Sequence, residues 1–205
     1  KRNYLQRMMN DKVNSMKISK KYGFDYWDGE RKYGYGGYKY DGRWKKIAQK
    51  IVYKYKLHKG SKVLDIGCGK GHLVYELSKI LKSNNIHGID ISKHAIKTAP
   101  KEIKKNLKLY DARKKIIFNK NYFDLVISIN LIHNFEIFDL KKFLKNIKLI
   151  SKKTFVTTES YKNEKELFNL QCWALTCESF FSEKEWKWIF KESGYNRDYE
   201  LIYFS

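Results

Sequence analysis

The stretch Lys62–Gly71 constrains this chain more than any other. It begins with a short apolar run, Val63–Ile66, of the kind that forms a buried strand. Glycines follow at positions 67, 69 and 71, and from His72 onward apolar residues recur at helical spacing. A strand, a glycine turn and a helix N-terminus let a ligand lie against bare backbone, because glycine has no Cβ to block it. The stretch therefore predicts a ligand site.

Two acids flank this glycine turn. Asp65 lies two positions before the first glycine, and Asp90 lies at the end of the next apolar run, Ile86–Ile91. An acid at the end of the second strand of a βαβ unit can accept hydrogen bonds from both hydroxyls of a ribose. The spacing G-x-G-x-G differs from the G-x-G-x-x-G of dinucleotide-binding proteins.

These residues resemble motif I of the class I S-adenosylmethionine-dependent methyltransferases, and Asp90 is similar to their ribose-binding acid. The resemblance covers about residues 44–205, and its specific part is 62–133. It implies an α/β, Rossmann-like fold, with a mostly parallel seven-stranded sheet and helices on both faces. It also implies S-adenosylmethionine as the cofactor. Residues 1–43 are then an N-terminal helix and lid, and 44–205 form the cofactor-binding methyltransferase domain.

The resemblance further implies which residues contact the cofactor. Asp111 and Ala112, after a predicted third strand at Leu107–Leu109, resemble the family's adenine clamp. An ion pair with Arg113 would use the same carboxylate, so both interpretations stay open. The residues expected at the cofactor are Asp65, Gly67, Cys68, Gly69, Gly71, Asp90, Ile91, Asp111, Ala112, Asn130, Tyr38 and Arg43.

The segment Phe24–Trp44, called the lid segment below, is rich in aromatic residues and contains five glycines. The glycines predict an ordered loop without helix or strand, and the aromatics predict either a structural clasp or a cover over a ligand. In many class I methyltransferases the segment before motif I closes over the methionine end of the cofactor. By that resemblance, one of Tyr33, Tyr38 or Arg43 contacts it. The segment also resembles methyltransferases of bacterial surface-polysaccharide biosynthesis.

A nearly continuous apolar run, Tyr122–Ile129, predicts a central parallel strand. Asn130 and His133 follow it, where ligands bind in open α/β sheets. His133 is the predicted general base, because imidazole can accept a hydroxyl proton near neutral pH; a histidine that only orders the pocket floor is the alternative. The residues predicted at the methyl acceptor are Tyr33, Tyr35, Arg31, Glu159 and Trp173.

Periodicity predicts the remaining elements. The predicted helices are Tyr4–Tyr22, Trp44–Tyr55, Leu140–Ile150 and Glu183–Ser193, and the late strands are Thr154–Thr158 and Tyr199–Phe204. The last helix and strand match the terminal hairpin that the resemblance implies.

The formal net charge of +21 raises the question of a nucleic-acid partner. The lysines occur along the whole chain without an arginine-rich cluster or basic tail, which favours a small or carrier-linked acceptor, anionic in character, over nucleic acid. The three cysteines show no C-x-x-C spacing, so neither a disulfide framework nor a metal site is predicted, and the cytoplasm is the expected compartment. No apolar run is long enough to span a membrane.

The residues after the fourth strand also bear on the reaction. An N/D-P-P-Y type motif, which the family uses for amino groups, does not follow Ile129. We therefore expect O-methylation of a small or carrier-linked metabolite. The alternatives are an RNA or protein methyltransferase, which the charge favours, and a protein that binds S-adenosylmethionine without catalysis.

Overall fold

One parallel sheet forms the centre of the computed structural model, which describes residues 3–9, 11–116 and 118–205. Its strand order is β3-β2-β1-β4-β5-β6, and every neighbouring pair is parallel. The strands are β1 (Val63–Ile66), β2 (Ile86–Asp90), β3 (Leu107–Leu109), β4 (Leu125–Ile129), β5 (Thr154–Glu159) and β6 (Asp198–Ile202).

The predicted Rossmann-like architecture is confirmed, but the sheet has six strands rather than seven. β6 pairs with β5 in parallel, and no antiparallel strand follows it in the described part of the chain. The described residues therefore do not contain the terminal hairpin that the resemblance implied.

Helices cover both faces of the sheet. They are α1 (Tyr4–Met9), α2 (Lys12–Ser19), α3 (Phe24–Trp27), α4 (Arg43–Tyr55), α5 (His72–Leu81), α6 (Lys93–Lys97), α7 (Ile137–Ile150), α8 (Glu164–Trp173) and α9 (Glu183–Glu192). Successive strand residues point to opposite faces, so Val63 packs with α4 and α5 while Leu64 packs with α7 and α9. None of the described helices is long and apolar enough to cross a membrane.

The N-terminal segment differs from its prediction as one amphipathic helix. It forms two short helices, and Asp11 between them has a left-handed backbone and caps α2; residue 10, inside the predicted helix, lies outside the described residues. The buried residues of α2 are Ser15 and Ser19, whereas Val13 is 64% exposed. The apolar spacing of this segment therefore does not mark a core-facing stripe.

The lid segment was predicted to be a loop throughout, and it contains the short helix α3 and a 3-10 turn at Arg31–Tyr33. The helix is compatible with the glycines because Gly23 precedes it and Gly29 follows it, so no glycine lies inside it. The rest of the segment is irregular, as predicted.

Candidate functional site

The glycine turn after β1 needs glycine at its centre. Gly67, Gly69 and Gly71 have φ angles of +78°, +54° and +73°, a region that side chains strongly disfavour. A Cβ at Gly69 would lie 2.6 Å from a ring carbon of Trp27, and one at Gly71 would lie 2.8 Å from a side-chain carbon of Leu107. A side chain therefore has no room at Gly69 or at Gly71.

Asp90, at the end of β2, fixes this turn. One carboxylate oxygen accepts a hydrogen bond from the Gly69 amide at 2.8 Å, and the other accepts one from the Ser92 amide at 2.7 Å. Burial raises the pKa of Asp90, and the bonds from these amides oppose that rise. The second lone pair on each oxygen remains for a ligand hydroxyl, so the ribose-binding role stays a prediction that the geometry permits.

Asp65, at the third position of β1, lies beside Asp90. Burial raises the pKa of Asp65 to about 7, and the negative charge of Asp90 adds to the rise. The two carboxylates therefore share a poorly solvated space in which a cationic group is stabilised. A sulfonium and an ammonium group fit that requirement, so the residues present suit S-adenosylmethionine.

A cavity of about 390 Å³ opens beside the glycine turn, within the size range of small-molecule sites. Most of the residues predicted at the cofactor lie on its wall, together with one predicted at the acceptor. They are Asp65, Gly67, Cys68, Gly69, Asp90, Ile91, Asp111, Ala112, Asn130, Tyr38 and, from the acceptor set, Tyr35.

Six other predicted residues lie off this wall: Gly71, Arg43, Tyr33, Arg31, Glu159 and Trp173. Arg43 is exposed and pairs with Asp41 at 2.5 Å, because Arg43 begins α4 and Asp41 lies two residues before it. The guanidinium of Arg31 lies over the Trp173 ring at 4.8 Å, where α8 meets the lid segment. The assignments of Arg43 to the cofactor and of Arg31, Tyr33 and Trp173 to the acceptor stay predictions that this conformation does not support.

Asp111 and Arg113 form the surface pair that the sequence left as an alternative. The Arg113 guanidinium donates to both carboxylate oxygens of Asp111 at 2.7–3.1 Å and lowers the pKa of that acid. Both residues still line the cavity. An adenine amine at this position would share the Asp111 carboxylate with Arg113, and the clamp stays a prediction.

The lid segment closes over the glycine turn through Trp27. Its indole ring lies against Gly69, and its Nε1–H donates to the Ser92 hydroxyl at 2.9 Å. Ser92 in turn donates to the backbone carbonyl of Tyr22 at 2.5 Å and caps α6. Ser92 thus joins the lid segment to the loop that follows β2.

Asp28, the next residue of the lid segment, makes the strongest electrostatic contact with the glycine turn. Its two oxygens accept from the Lys70 ammonium at 2.6 and 2.7 Å, and one of them lies 2.7 Å from His94 Nε2. Lys70 is only 6% exposed. We call these three residues the Asp28 cluster; its hydrogen bonds lower the pKa of Asp28 against the effect of burial.

Tyrosines of the lid segment cover the start of α5. The Tyr38 ring stacks on the His72 ring at 5.0 Å, and its hydroxyl accepts from Trp44 Nε1 at 2.9 Å. The Tyr40 hydroxyl donates to Glu76. His72, which the sequence suggested to be exposed or incidental, is buried beneath Tyr38, and burial lowers its pKa.

His133 and Glu159 lie together at the carboxyl ends of β4 and β5, as the topology predicted. His133 Nε2 is 3.9 Å from a carboxylate oxygen of Glu159, and Cys177 comes within 3.5 Å of the same oxygen. Neither His133 nor Glu159 lines the cavity, although Asn134 and Glu178, the neighbours of His133 and Cys177, do. The role of His133 as general base stays a prediction.

Sequence reasoning missed the Asp28 cluster, Trp27 and Cys177. Lys70 lies inside the glycine turn and could have been noticed as a lysine next to glycines at a ligand site. Its acidic partner is not marked by any local pattern, because Asp28 and Lys70 meet only when the lid segment folds over the turn. Cys177 carries no spacing signal, since its neighbours in space come from other elements.

Both the sequence and the structure of the chain are similar to those of known proteins. The sequence profile of a family described as "Methyltransferase domain" matches residues 57–194. No curated protein matches the chain. The structure is similar to YcgJ from Bacillus subtilis, with a TM-score of 0.56, 18% identity, and coverage of 71% of this chain and 66% of YcgJ.

A second similar structure is a SAM dependent methyltransferase from Aquifex aeolicus, with a TM-score of 0.52 and 21% identity. The similarity covers 76% of this chain and 89% of that protein. The chain spans just under two thirds of the length of YcgJ. At these identities the two structures support the fold, and the profile match carries the family.

Proposed function

This chain belongs to the methyltransferase domain family and takes S-adenosylmethionine as its cofactor, and on that premise we propose that it methylates an oxygen of a small or carrier-linked metabolite. When bound, the cofactor supplies a methyl group made electrophilic by its sulfonium. The protein then has to hold the two reactants in line, exclude water and receive the proton of the acceptor hydroxyl.

The glycine turn with its paired carboxylates is the observation that carries this proposal. Gly69 lies on the cavity wall, Asp90 holds the turn in place, and Asp65 contributes a carboxylate whose pKa burial has raised to about 7. A cationic ligand beside Asp65 favours its ionised form and is itself stabilised by it. Trp27 and Tyr38 close the site from the lid segment and limit access by water.

Four of the seven charged side chains on the cavity wall are acidic, and the feature that favours an anionic acceptor is one lysine without an ion-pair partner among the described residues. Lys20, Lys21 and Arg113 lie on its wall, and Lys20 and Arg113 each pair with an acid, Glu178 and Asp111. Lys21 is exposed and has no acidic side chain within ion-pair distance in the described ranges. An exposed lysine on the cavity wall of a basic protein attracts carboxylates and phosphates.

The acceptor atom is proposed to be oxygen for a reason in the sequence. The residues after β4 are Asn130, Leu131 and Ile132, without the prolines of an N/D-P-P-Y motif. The resemblance of the lid segment to methyltransferases of bacterial surface-polysaccharide biosynthesis adds a sugar hydroxyl, on a phosphate-containing carrier, as the first acceptor class to test.

The first experiment is calorimetric titration with S-adenosylmethionine and its demethylated product, with NAD and ATP as controls. We expect micromolar binding of the first pair alone. Transfer of a radiolabelled methyl group is then measured with nucleotide-linked sugars, free sugars, total RNA and a protein extract. Labelling of a hydroxylated small molecule supports the proposal, and labelling confined to RNA or protein contradicts it.

An RNA methyltransferase is the second candidate, favoured by the net charge of +21. It predicts tight RNA binding that weakens steeply with salt, because each neutralised phosphate releases counterions. Weak binding without preference for any RNA would remove this candidate. Binding of the cofactor without labelling of any acceptor class would instead favour a non-catalytic protein.

A further inference from the structure

Three potential metal ligands meet behind the wall of the cavity. They are the imidazole of His133, the carboxylate of Glu159 and the thiol of Cys177, and one ligand atom from each lies within 4.8 Å of the other two. His133 belongs to the 3-10 turn after β4, Glu159 ends β5, and Cys177 belongs to the loop after α8. We call these residues the His133 cluster.

The backbone around the cluster is held firmly. The carbonyl of His133 accepts from the amides of Glu178 and Ser179 at 2.9 and 3.0 Å, which ties the Cys177 loop to the turn after β4. The indole Nε1–H of Trp186 donates to the carbonyl of Glu159 at 3.0 Å. The three side chains thus approach one another from fixed elements, as a preorganised ligand set requires.

The imidazole of His133 is buried without a hydrogen bond. It is 5% exposed, its Nδ1 has no partner among the described residues, and its Nε2 lies 3.9 Å from Glu159 Oε2, which is too far for a hydrogen bond. Buried polar atoms are almost always paired, and an unpaired one needs an explanation. An ion between Nε2 and the Glu159 carboxylate would give that nitrogen a partner and would leave Nδ1 as it is.

Two of the three distances between ligand atoms are close to those around a small tetrahedral ion. Zinc bonds of about 2.0–2.3 Å at tetrahedral angles put ligand atoms about 3.3–3.6 Å apart. Cys177 Sγ and Glu159 Oε2 are already 3.5 Å apart, and the His133–Glu159 distance of 3.9 Å needs only a small contraction.

A cysteine nucleophile is the competing chemistry, and the order of contacts opposes it. A nucleophilic thiol needs a base in contact with it and a third group that orients the base. Here the thiol donates to the Glu159 carboxylate rather than to the imidazole.

We propose that His133, Glu159 and Cys177 bind a single zinc ion. Mixed nitrogen, oxygen and sulfur ligands favour zinc over magnesium or calcium, which prefer oxygen alone. Three protein ligands leave a fourth position open, as in catalytic zinc sites. The cluster adjoins Asn134 and Glu178 on the cavity wall, so the open position can take an oxygen of the acceptor.

The metal site changes the expected role of His133. A ring nitrogen whose lone pair holds a metal ion cannot also accept a proton, so His133 is a ligand and not the general base. The ion instead lowers the pKa of a hydroxyl bound to it, as zinc does for water, and the proton that leaves the hydroxyl passes to solvent water. This role at the acceptor rests on the proposed function, whereas metal binding itself does not.

The test measures metal directly. The full chain is freed of metal with a chelator, and zinc and cobalt(II) are titrated in separately, with zinc followed by competition with a chromogenic chelator. We expect one ion per chain, and with cobalt both the d–d bands of a tetrahedral site and a thiolate-to-metal charge-transfer band. Failure of the wild-type chain to bind either ion would overturn the proposal.

Variants identify the ligands. We expect Cys177→Ser to abolish the charge-transfer band, and His133→Gln to weaken zinc binding by at least about 100-fold, since even outer-shell changes cost 10–100-fold. Cys172→Ser is the matched control, because Cys172 is also buried but lies outside the cluster. Retention of the band in Cys177→Ser, or its loss in Cys172→Ser, would overturn the assignment.

Circular dichroism and titration with S-adenosylmethionine confirm that each variant is folded. If the wild-type chain binds the cofactor but binds no zinc, the metal site is overturned and the proposed function is left intact. If the chain binds zinc but transfers no methyl group to any acceptor class, the proposed function is overturned and the metal site is left intact. The two proposals can therefore fail separately.

Discussion

At the scale of single residues, the site depends on two buried carboxylates, of which only one is held by backbone amides. Asp90 is held by the amides of Gly69 and Ser92, whereas Asp65 makes no such bond in the described structure and keeps a pKa of about 7. The protonation of Asp65 should therefore control how well a cationic ligand binds. The groups facing it are Asp90, Cys68 and Tyr38.

We expect the affinity for S-adenosylmethionine to rise roughly 10-fold between about pH 6 and about pH 8, because the ionised fraction of a group with a pKa near 7 rises by that factor. The amino group of the cofactor titrates too, so the informative quantity is the difference between wild type and Asp65→Asn. Calorimetry should give a flatter pH profile for the variant. Equal profiles would contradict the role of Asp65.

The same raised pKa makes a prediction for stability. The folded chain holds the Asp65 proton more tightly than the unfolded chain does, since the folded pKa is about 7 and the unfolded value is about 3.9. Its stabilising contribution is thus complete below about pH 4 and is lost as pH rises through 7. Urea unfolding should show a smaller decrease across this interval in Asp65→Asn.

A methyl group at Gly69 should separate the lid segment from the glycine turn. In Gly69→Ala the new Cβ meets Trp27 at 2.6 Å, so we expect affinity for the cofactor to fall at least about 10-fold, corresponding to about 1.4 kcal/mol. Gly42→Ala is the control, because Gly42 also has a positive φ but has open space around its Cβ position. An equal loss in both variants would assign the effect to backbone strain.

The sequence predicted the identity of these residues better than their contacts. Asp90 was predicted from its place after the second strand, since strand order brings that position to the turn. Its bond to the Gly69 amide depends on the φ angles of three successive glycines, which no pattern of side chains specifies.

At the scale of elements, the lid segment is joined to the glycine turn chiefly by the Asp28 cluster. Lys70 is buried, so its ammonium depends on Asp28 for a charged partner. Removal of one partner of a buried pair leaves an uncompensated charge. The cluster should therefore stabilise the closed lid and slow the exit of ligands.

We expect Asp28→Asn to lower the free energy of unfolding by about 1–3 kcal/mol and to speed release of the demethylated cofactor. Asp41→Asn tests the same change in an exposed pair of the lid segment, Asp41–Arg43, and should have a much smaller effect, because solvent screens an exposed pair. Urea unfolding measures the change in the free energy of unfolding. Stopped-flow fluorescence of Trp27 follows the release of the demethylated cofactor. Similar losses in both variants would show that burial of Lys70 is unimportant.

The predicted elements succeeded where the signal is local. Helix α5 begins at His72 and β3 spans Leu107–Leu109, both as predicted. The segment Tyr4–Tyr22 failed because its apolar residues contact other parts of the chain individually: Tyr4 packs edge-on against Trp173 and Phe204. The left-handed backbone at Asp11, which separates α1 from α2, leaves no mark in the apolar spacing, so one helix was predicted where two form.

At the scale of the whole molecule, the charge of +21 is a source of self-repulsion in the folded chain. We expect the urea midpoint to rise when KCl is raised from about 0.01 M to about 0.1 M, because screening shortens the reach of repulsion from about 30 Å to about 10 Å. Potassium acetate should give the same rise, which separates screening from binding of chloride. A falling midpoint would mean that attractive pairs dominate.

The parallel sheet could be predicted because every strand of its centre reads as an apolar run of suitable length. The number of strands could not, since the resemblance supplied a seventh strand that the described residues do not contain. The place of Cys177 beside His133 and Glu159 was also beyond prediction, because it comes from a separate element and meets them only in the folded chain.

The position of the lid segment along the chain has a consequence for engineering. Trp27 and Asp28, which close the cofactor site, lie before residue 57, where the match to the family begins. Closure and methyl-donor binding are thus encoded in consecutive stretches of the gene. Chimaeras that exchange residues 22–44 between related enzymes could redirect which molecule is modified while leaving the catalytic domain untouched, provided that the pairing of residues 28 and 70 is carried along.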